Sequence, residues 1–142
     1  MHYRFESPMG SISYAWNGDN CSRIRLDAGA EPINPAPDPV AEWLTAYFEH
    51  RTLPLPPLSA PATAFQTSMR KALLMIPSGE QRTYGELAST LATAPRALGQ
   101  ALGANPLPVL IPCHRVVAAH GIGGFACGIT WKKKLLEFES SC

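Results

Sequence analysis

Eight of the fourteen prolines fall in two short segments, 28-AGAEPINPAPDP-39 and 51-RTLPLPPLSAPA-62. Proline has no backbone N–H and a fixed φ, so neither segment can run as a helix interior or a central strand. Regular structure is therefore confined to residues 1–27, 40–50 and 63–142. The second segment reads as a semi-rigid connector and sets a lobe boundary near residue 60. The expected division is an N-terminal α/β lobe ending in a proline-rich connector, 1–60, and a C-terminal domain, 61–142.

In the first lobe, 3-YRFESPMGSISYAW-16 and 21-CSRIRLD-27 alternate in short apolar and polar steps around 17-NGDN-20. Asn17-Gly18 is a hairpin signal, which predicts two or three antiparallel strands. Val40, Trp43, Leu44, Tyr47 and Phe48 recur at helical spacing and predict one helix covering that sheet.

The second lobe reads as mostly helical. Phe65, Met69, Ala72, Leu73 and Ile76 form one helix face that Pro77 and Gly79 stop, and 83-TYGE-86 is a capping-box pattern opening a helix through Leu91. Pro95 suits the first position of a further helix carrying Arg96, Leu98 and Leu102 and ending at Gly103. Two short helices joined by a tight turn suggest a helix-turn-helix, although the pattern alone favours a helical pair packed for stability, the far commoner arrangement. The turn 105-NPLP-108 leads into 109-VLI-111, expected as a short buried strand, and a last helix is expected over 130-TWKKKLLEFE-139.

No apolar run approaches the ~20 residues of a membrane span, and MHYRFESPMG lacks a signal-peptide layout, so a soluble intracellular protein is expected. Cys21, Cys113, Cys127 and Cys142 contain no CxxC pair, which disfavours a disulfide framework and a structural zinc site. The net charge of +1 conceals an asymmetry: residues 1–60 hold four Lys/Arg against seven Asp/Glu, and residues 61–142 hold eight against four. The second half suits a polyanion, although such imbalances also arise without function.

The chemistry is concentrated in 109-VLIPCHRVV-117, where Cys113, His114 and Arg115 interrupt an apolar run. A buried imidazole or charge needs a partner, so packing alone does not account for them. A cysteine of ordinary pKa near ~8.5 is mostly thiol at neutral pH, and a reactive one needs an imidazole or a cation beside it. Contact between Cys113 and His114 requires a turn at Pro112, because neighbours on a strand point to opposite faces. Taken alone, such a Cys-His pair is more often a buried thiol beside a satisfied histidine than a nucleophile.

The segment 112-PCHRV-116 resembles the active-site motif of the O6-alkylguanine-DNA alkyltransferases, and the similarity continues through 64-AFQTSMRKALLMIPSGEQRTYGELA-88, 96-RALGQALGANPLPVLIPCHRVV-117, 123-GGFACG-128 and 132-KKKLLEFE-139. The opening 5-FESPMGSI-12 is similar to the family's N-terminal domain. The resemblance implies a mixed α/β (α+β) fold: a small N-terminal antiparallel sheet with a helix, degenerate ribonuclease H-like, and a mostly helical, winged-helix-like DNA-binding domain. It implies direct-reversal DNA repair, in which an alkyl group passes from O6-alkylguanine, or O4-alkylthymine, in duplex DNA irreversibly to Cys113 after nucleotide flipping. His114 would act through a water, with Glu139 polarising it; Tyr84 would protonate the leaving base, and Asn105 would tie the turn to the active-site segment. Arg96, Ala97, Gly99, Tyr84 and Arg115 would contact DNA, with Arg96 filling the vacated stack. Phe125, Ala126, Cys127 and Gly128 would line the base pocket. No cofactor and no metal are implied; the partner is double-stranded DNA containing alkylated guanine, with no membrane, for a monomer located in the cytoplasm, or in the nucleus of a eukaryote.

This chain departs from the family pattern in a shorter 89-STLATAP-95 and in Phe125, Ala126 and Cys127, where tyrosine, serine and glycine are usual. Two other readings stand beside transfer. One is an alkyltransferase-like lesion-binding protein; such relatives replace the acceptor cysteine, which is present here. The other is a helix-turn-helix regulator with an inert cysteine, which leaves Tyr84 and Glu139 unexplained.

Overall fold

A computed structural model describes residues 1–26, 29–124 and 128–141. The chain forms two compact units, Met1–Ala60 and Pro61–Cys142.

In the first unit, strands β1 (His2–Ser7), β2 (Gly10–Trp16) and β3 (Cys21–Leu26) make an antiparallel sheet in the order β1-β2-β3. The β2–β3 turn is held by Asn17, whose Oδ1 accepts from the N–H groups of Asp19 (2.8 Å) and Asn20 (2.7 Å), while Gly18 takes φ +95°. Helix α1 (Pro39–Phe48) begins with Pro39 and is capped by Asp38, which accepts from the Ala41 N–H. Asp38 is itself buried and takes hydrogen bonds from Tyr14 (2.6 Å) and Asn34 (2.8 Å), so one carboxylate ties sheet, loop and helix together. Ile12, Ile24, Val40 and Leu44 fill the core between them.

The proline-rich segments do more than connect. The Pro32 carbonyl accepts from the Arg4 N–H on β1, and Pro57 and Ser59 bond both backbone groups of Cys21 on β3. Proline carbonyls can still accept although proline nitrogens cannot donate, so both edges of the small sheet receive partners.

The second unit contains α2 (Ala64–Leu74), β4 (Arg82–Thr83), α3 (Tyr84–Thr90), α4 (Pro95–Gly103), β5 (Val116–Val117) and α5 (Ile129–Ser140). Thr83 and Glu86 form the expected capping box at the start of α3. The shortened connection to α4 is closed by Ala92 at φ +53°, with the Thr93 N–H bonded to the Ala88 carbonyl. A left-handed residue reverses the chain in few residues, which lets Pro95 open α4 with Arg96 in its first turn.

Residues 109–111 are buried as expected but do not form a strand. The Ile111 N–H bonds the Leu107 carbonyl at 2.8 Å and Val109 has φ +73°, giving a tight turn. Pro108 and Pro112 flank the run, and a three-residue apolar stretch between prolines cannot sustain a ladder. Cys113–Arg115 then forms one 3-10 turn, and Val116–Val117 pairs in parallel with Arg82–Thr83. That two-residue pairing, too short to show any periodicity in the sequence, brings the start of α3 beside the Cys-His-Arg turn. No helix among the described residues is long and apolar enough to cross a membrane.

Candidate active site

Cys113 and Tyr84 line one cavity of about 560 Å³ with Pro95, Arg96, Gly99, Leu102, Gly103 and Gly124. The cavity lies within the second unit, between α4 on one side and the 3-10 turn on the other. Cys113 is buried, and Arg96 is exposed at the first turn of α4.

Behind the cysteine, the 3-10 turn sends His114 into the interior, where it is fully buried and its Nε2 lies 2.7 Å from Glu139 Oε2. Burial lowers the His114 pKa, against the opposing pull of Glu139. The ring is therefore neutral near pH 7, with Nε2–H donating to the carboxylate. Its Nδ1, the remaining lone pair, is buried with no protein partner among the described residues.

Arg115 holds Glu139 from the other side, its Nε and Nη2 each 2.9 Å from a carboxylate oxygen, and its Nη1 donates to the Ile76 carbonyl at 2.7 Å. Burial alone would raise the Glu139 pKa, but the hydrogen bonds from His114 and Arg115 prevail and bring it down to about 2. The guanidinium expected at DNA is thus committed to this carboxylate and to the chain end of α2. An arginine adjacent to a buried histidine on a tight turn is carried inward with it.

The Asn105 side chain bonds at both ends: its Nδ2 donates to the Ile111 carbonyl (3.1 Å) and its Oδ1 accepts from the Leu107 N–H (3.1 Å). The Tyr84 hydroxyl donates to the Gly124 carbonyl at 3.3 Å. Gly123 is required there, because a Cβ at that position would come within 2.8 Å of the Tyr84 ring and its φ is +77°. Ala97 is exposed on α4 outside the cavity lining, and Gly128 precedes α5 at φ +101° rather than facing the cavity. Phe125, Ala126 and Cys127 lie outside the described residues. Among the described residues, no group of three or more His, Cys, Asp and Glu is placed to hold a metal ion.

The sequence reading missed Lys132. Its side chain is 1% exposed, with Nζ donating to the Val116 (2.7 Å) and Gly124 (2.9 Å) carbonyls and lying 5.7 Å from the Tyr84 ring centroid. Burial lowers its pKa to about 8, while electrostatic coupling to Cys113 opposes the shift. Its signal was positional: of three consecutive lysines, Lys132 alone shares the helix face of Leu135 and Glu139, both buried.

Residues 64–141 match the model of the 6-O-methylguanine DNA methyltransferase DNA-binding domain. The methylated-DNA–protein-cysteine methyltransferase of Mycobacterium tuberculosis is 40% identical over 154 residues, covering 99% of this chain and 93% of the relative. The protein of that name in Saccharolobus islandicus is 43% identical over 141 residues, covering 95% and 92%. The crystal structure of Mycobacterium tuberculosis OGT in complex with DNA superposes with a TM-score of 0.84 at 37% identity, over 99% of this chain and 93% of that one.

Proposed function

Because the chain belongs to the methylated-DNA–protein-cysteine methyltransferase family, we propose that it repairs duplex DNA by moving the alkyl group of O6-alkylguanine onto the Cys113 sulfur, once per molecule. The observation that carries this reading is a buried cysteine lining a cavity with Tyr84 and Arg96, backed by a His114–Glu139–Arg115 chain.

The thiol proton passes through a water to His114 Nδ1, the nitrogen left without a protein partner. Glu139 stabilises the imidazolium that forms, and Arg115 keeps Glu139 ionised so that it accepts rather than donates. The thiolate then attacks the alkyl carbon in line; the S–C bond forms as the C–O6 bond breaks, and the electron pair leaves on guanine. Burial raises the Tyr84 pKa, so its hydroxyl stays protonated and can donate to the departing base. The proton held by His114 restores Tyr84 through solvent. Lys132 supplies a fixed positive charge near the thiolate and holds the Gly124 carbonyl against which Tyr84 rests.

The nucleotide must leave the stack for its O6 substituent to reach a buried sulfur, and Arg96 on α4 occupies the gap. All these residues belong to one unit of one chain, so a monomer suffices and acts wherever the cell keeps its DNA. The test is intact mass after incubation with a duplex oligonucleotide bearing O6-methylguanine. One methyl mass should appear on Cys113 and be absent in Cys113→Ala; tight binding without any gain in mass would identify a lesion-binding protein instead.

A further inference from the structure

The first unit carries seven carboxylates against four arginines, a balance that repels a polyanion. Three of those arginines are nevertheless gathered on one face of the sheet. Ile12, Tyr14, Ile24 and Leu26 are buried on the α1 side, and side chains alternate along a strand, so their neighbours face outward. Across the strands, Arg4 stands opposite Ser13, which stands opposite Arg25; His2 stands opposite Ala15, which stands opposite Arg23. Long basic side chains on the outer strands thus flank a floor of small residues on β2. A cavity of about 100 Å³ opens among His2, Ser13, Tyr14, Ala15, Arg23, Arg25 and Glu31, with the Tyr14 side chain itself buried on the α1 side.

Among the described residues, the carboxylates on this face are already engaged. Glu6 accepts from Ser11 and pairs with Arg4. Glu31 accepts from the Ser13 hydroxyl at 2.6 Å. Arg23 and Arg25 are exposed, and neither forms a salt bridge among the described residues. Alternate residues on one strand, they lie about 6.6 Å apart along it, which lets two guanidiniums reach successive phosphates of one backbone. Positions 2, 4, 6, 11, 13, 15, 23 and 25 hold no aromatic or large aliphatic residue. A protein interface needs such anchors at its centre, whereas a hydrated phosphate backbone does not.

We propose that this sheet face is a second duplex-DNA contact, binding backbone phosphates without regard to sequence, separate from the contacts of α4. It rests on the reading that duplex DNA is the substrate. The experiment measures affinity for an unmodified duplex across a salt series, comparing the wild type with Arg23→Gln/Arg25→Gln and with Arg51→Gln, a control whose guanidinium pairs with Glu49. Removing one phosphate-neutralising cation lowers the log–log salt slope by about 0.9, so the double variant should fall by about 1.8 and the control by nothing. The reaction rate with free O6-benzylguanine, set by the second unit, should be unchanged in both, and an unchanged far-ultraviolet circular dichroism melting curve establishes that the first unit is folded as well. An unaltered slope in the double variant overturns the proposal, as does an equal fall in Arg51→Gln. An unaltered slope together with abolished self-association in sedimentation would assign the face to a second copy of the chain. Failure of methyl transfer to Cys113 would be seen separately by mass and would leave the salt slope readable.

Discussion

A lysine buried among backbone carbonyls is costly unless its charge is used. Lys132 donates to two carbonyls and is coupled to Cys113, and burial brings its pKa only to about 8, so it remains mostly cationic at pH 7. A nearby cation favours thiolate over thiol. Lys132→Met should therefore move the rise in reaction rate with free O6-benzylguanine to higher pH, and a displacement of one unit corresponds to a loss of about ten-fold at pH 7. Lys133→Met, at an exposed neighbour, should behave as the wild type. In the wild type the benefit should fade above about pH 8, where Lys132 itself loses its proton. A Lys132→Met profile with an unmoved midpoint, merely lower throughout, would reduce Lys132 to a structural tie.

At the scale of elements, α4 is positioned by two unlike devices: the left-handed Ala92 that shortens its approach, and the Gln66 side chain, whose Nε2 donates to the Ala101 carbonyl in its last turn. Pro95 begins the helix, so Arg96 projects from the first turn at the cavity rim. If Arg96 holds open the gap left by a flipped nucleotide, Arg96→Ala should slow repair of O6-methylguanine in a duplex by ten-fold or more while sparing the free benzylated base, which needs no extrusion. Equal losses on both substrates would remove that role. The helices of this unit were legible because capping box, N1 proline and terminal glycine are local signals. What escaped was non-local or too short to be periodic. The β4–β5 pairing spans two residues per strand, and the turn at 107–111 is as apolar as a strand. The inward course of Arg115 depends on Glu139, 24 residues away. Cys113, His114 and Glu139 could be named from their motif, but the carboxylate's second holder and the lysine beside the thiol required the fold.

For the molecule as a whole, the Glu139 network makes stability depend on pH in a way that can be read in one unit. Glu139 joins α5 to the Cys113–Arg115 turn, and through Arg115 to the end of α2. Its folded pKa, about 2, lies below the ordinary 4.5, so the unfolded chain binds the proton more tightly. The stabilisation is complete above pH 4.5 and is lost as pH falls from there through about 2. Trp131, buried in α5, reports on this unit, whereas Trp16 and Trp43 belong to the other. With Trp16 and Trp43 replaced by phenylalanine, the urea midpoint of Trp131 emission should fall steeply as pH drops below 4.5. Glu139→Gln should already be weaker at pH 7, by about 3–5 kcal/mol, because Arg115, only 11% exposed, is left without its counter-charge. Its midpoint should then change less across the acid range, since the glutamine has no proton to gain. Parallel losses in the two proteins between pH 4.5 and 2 would place the acid sensitivity elsewhere and dissolve the link between the carboxylate that orients His114 and the stability of the unit that carries it.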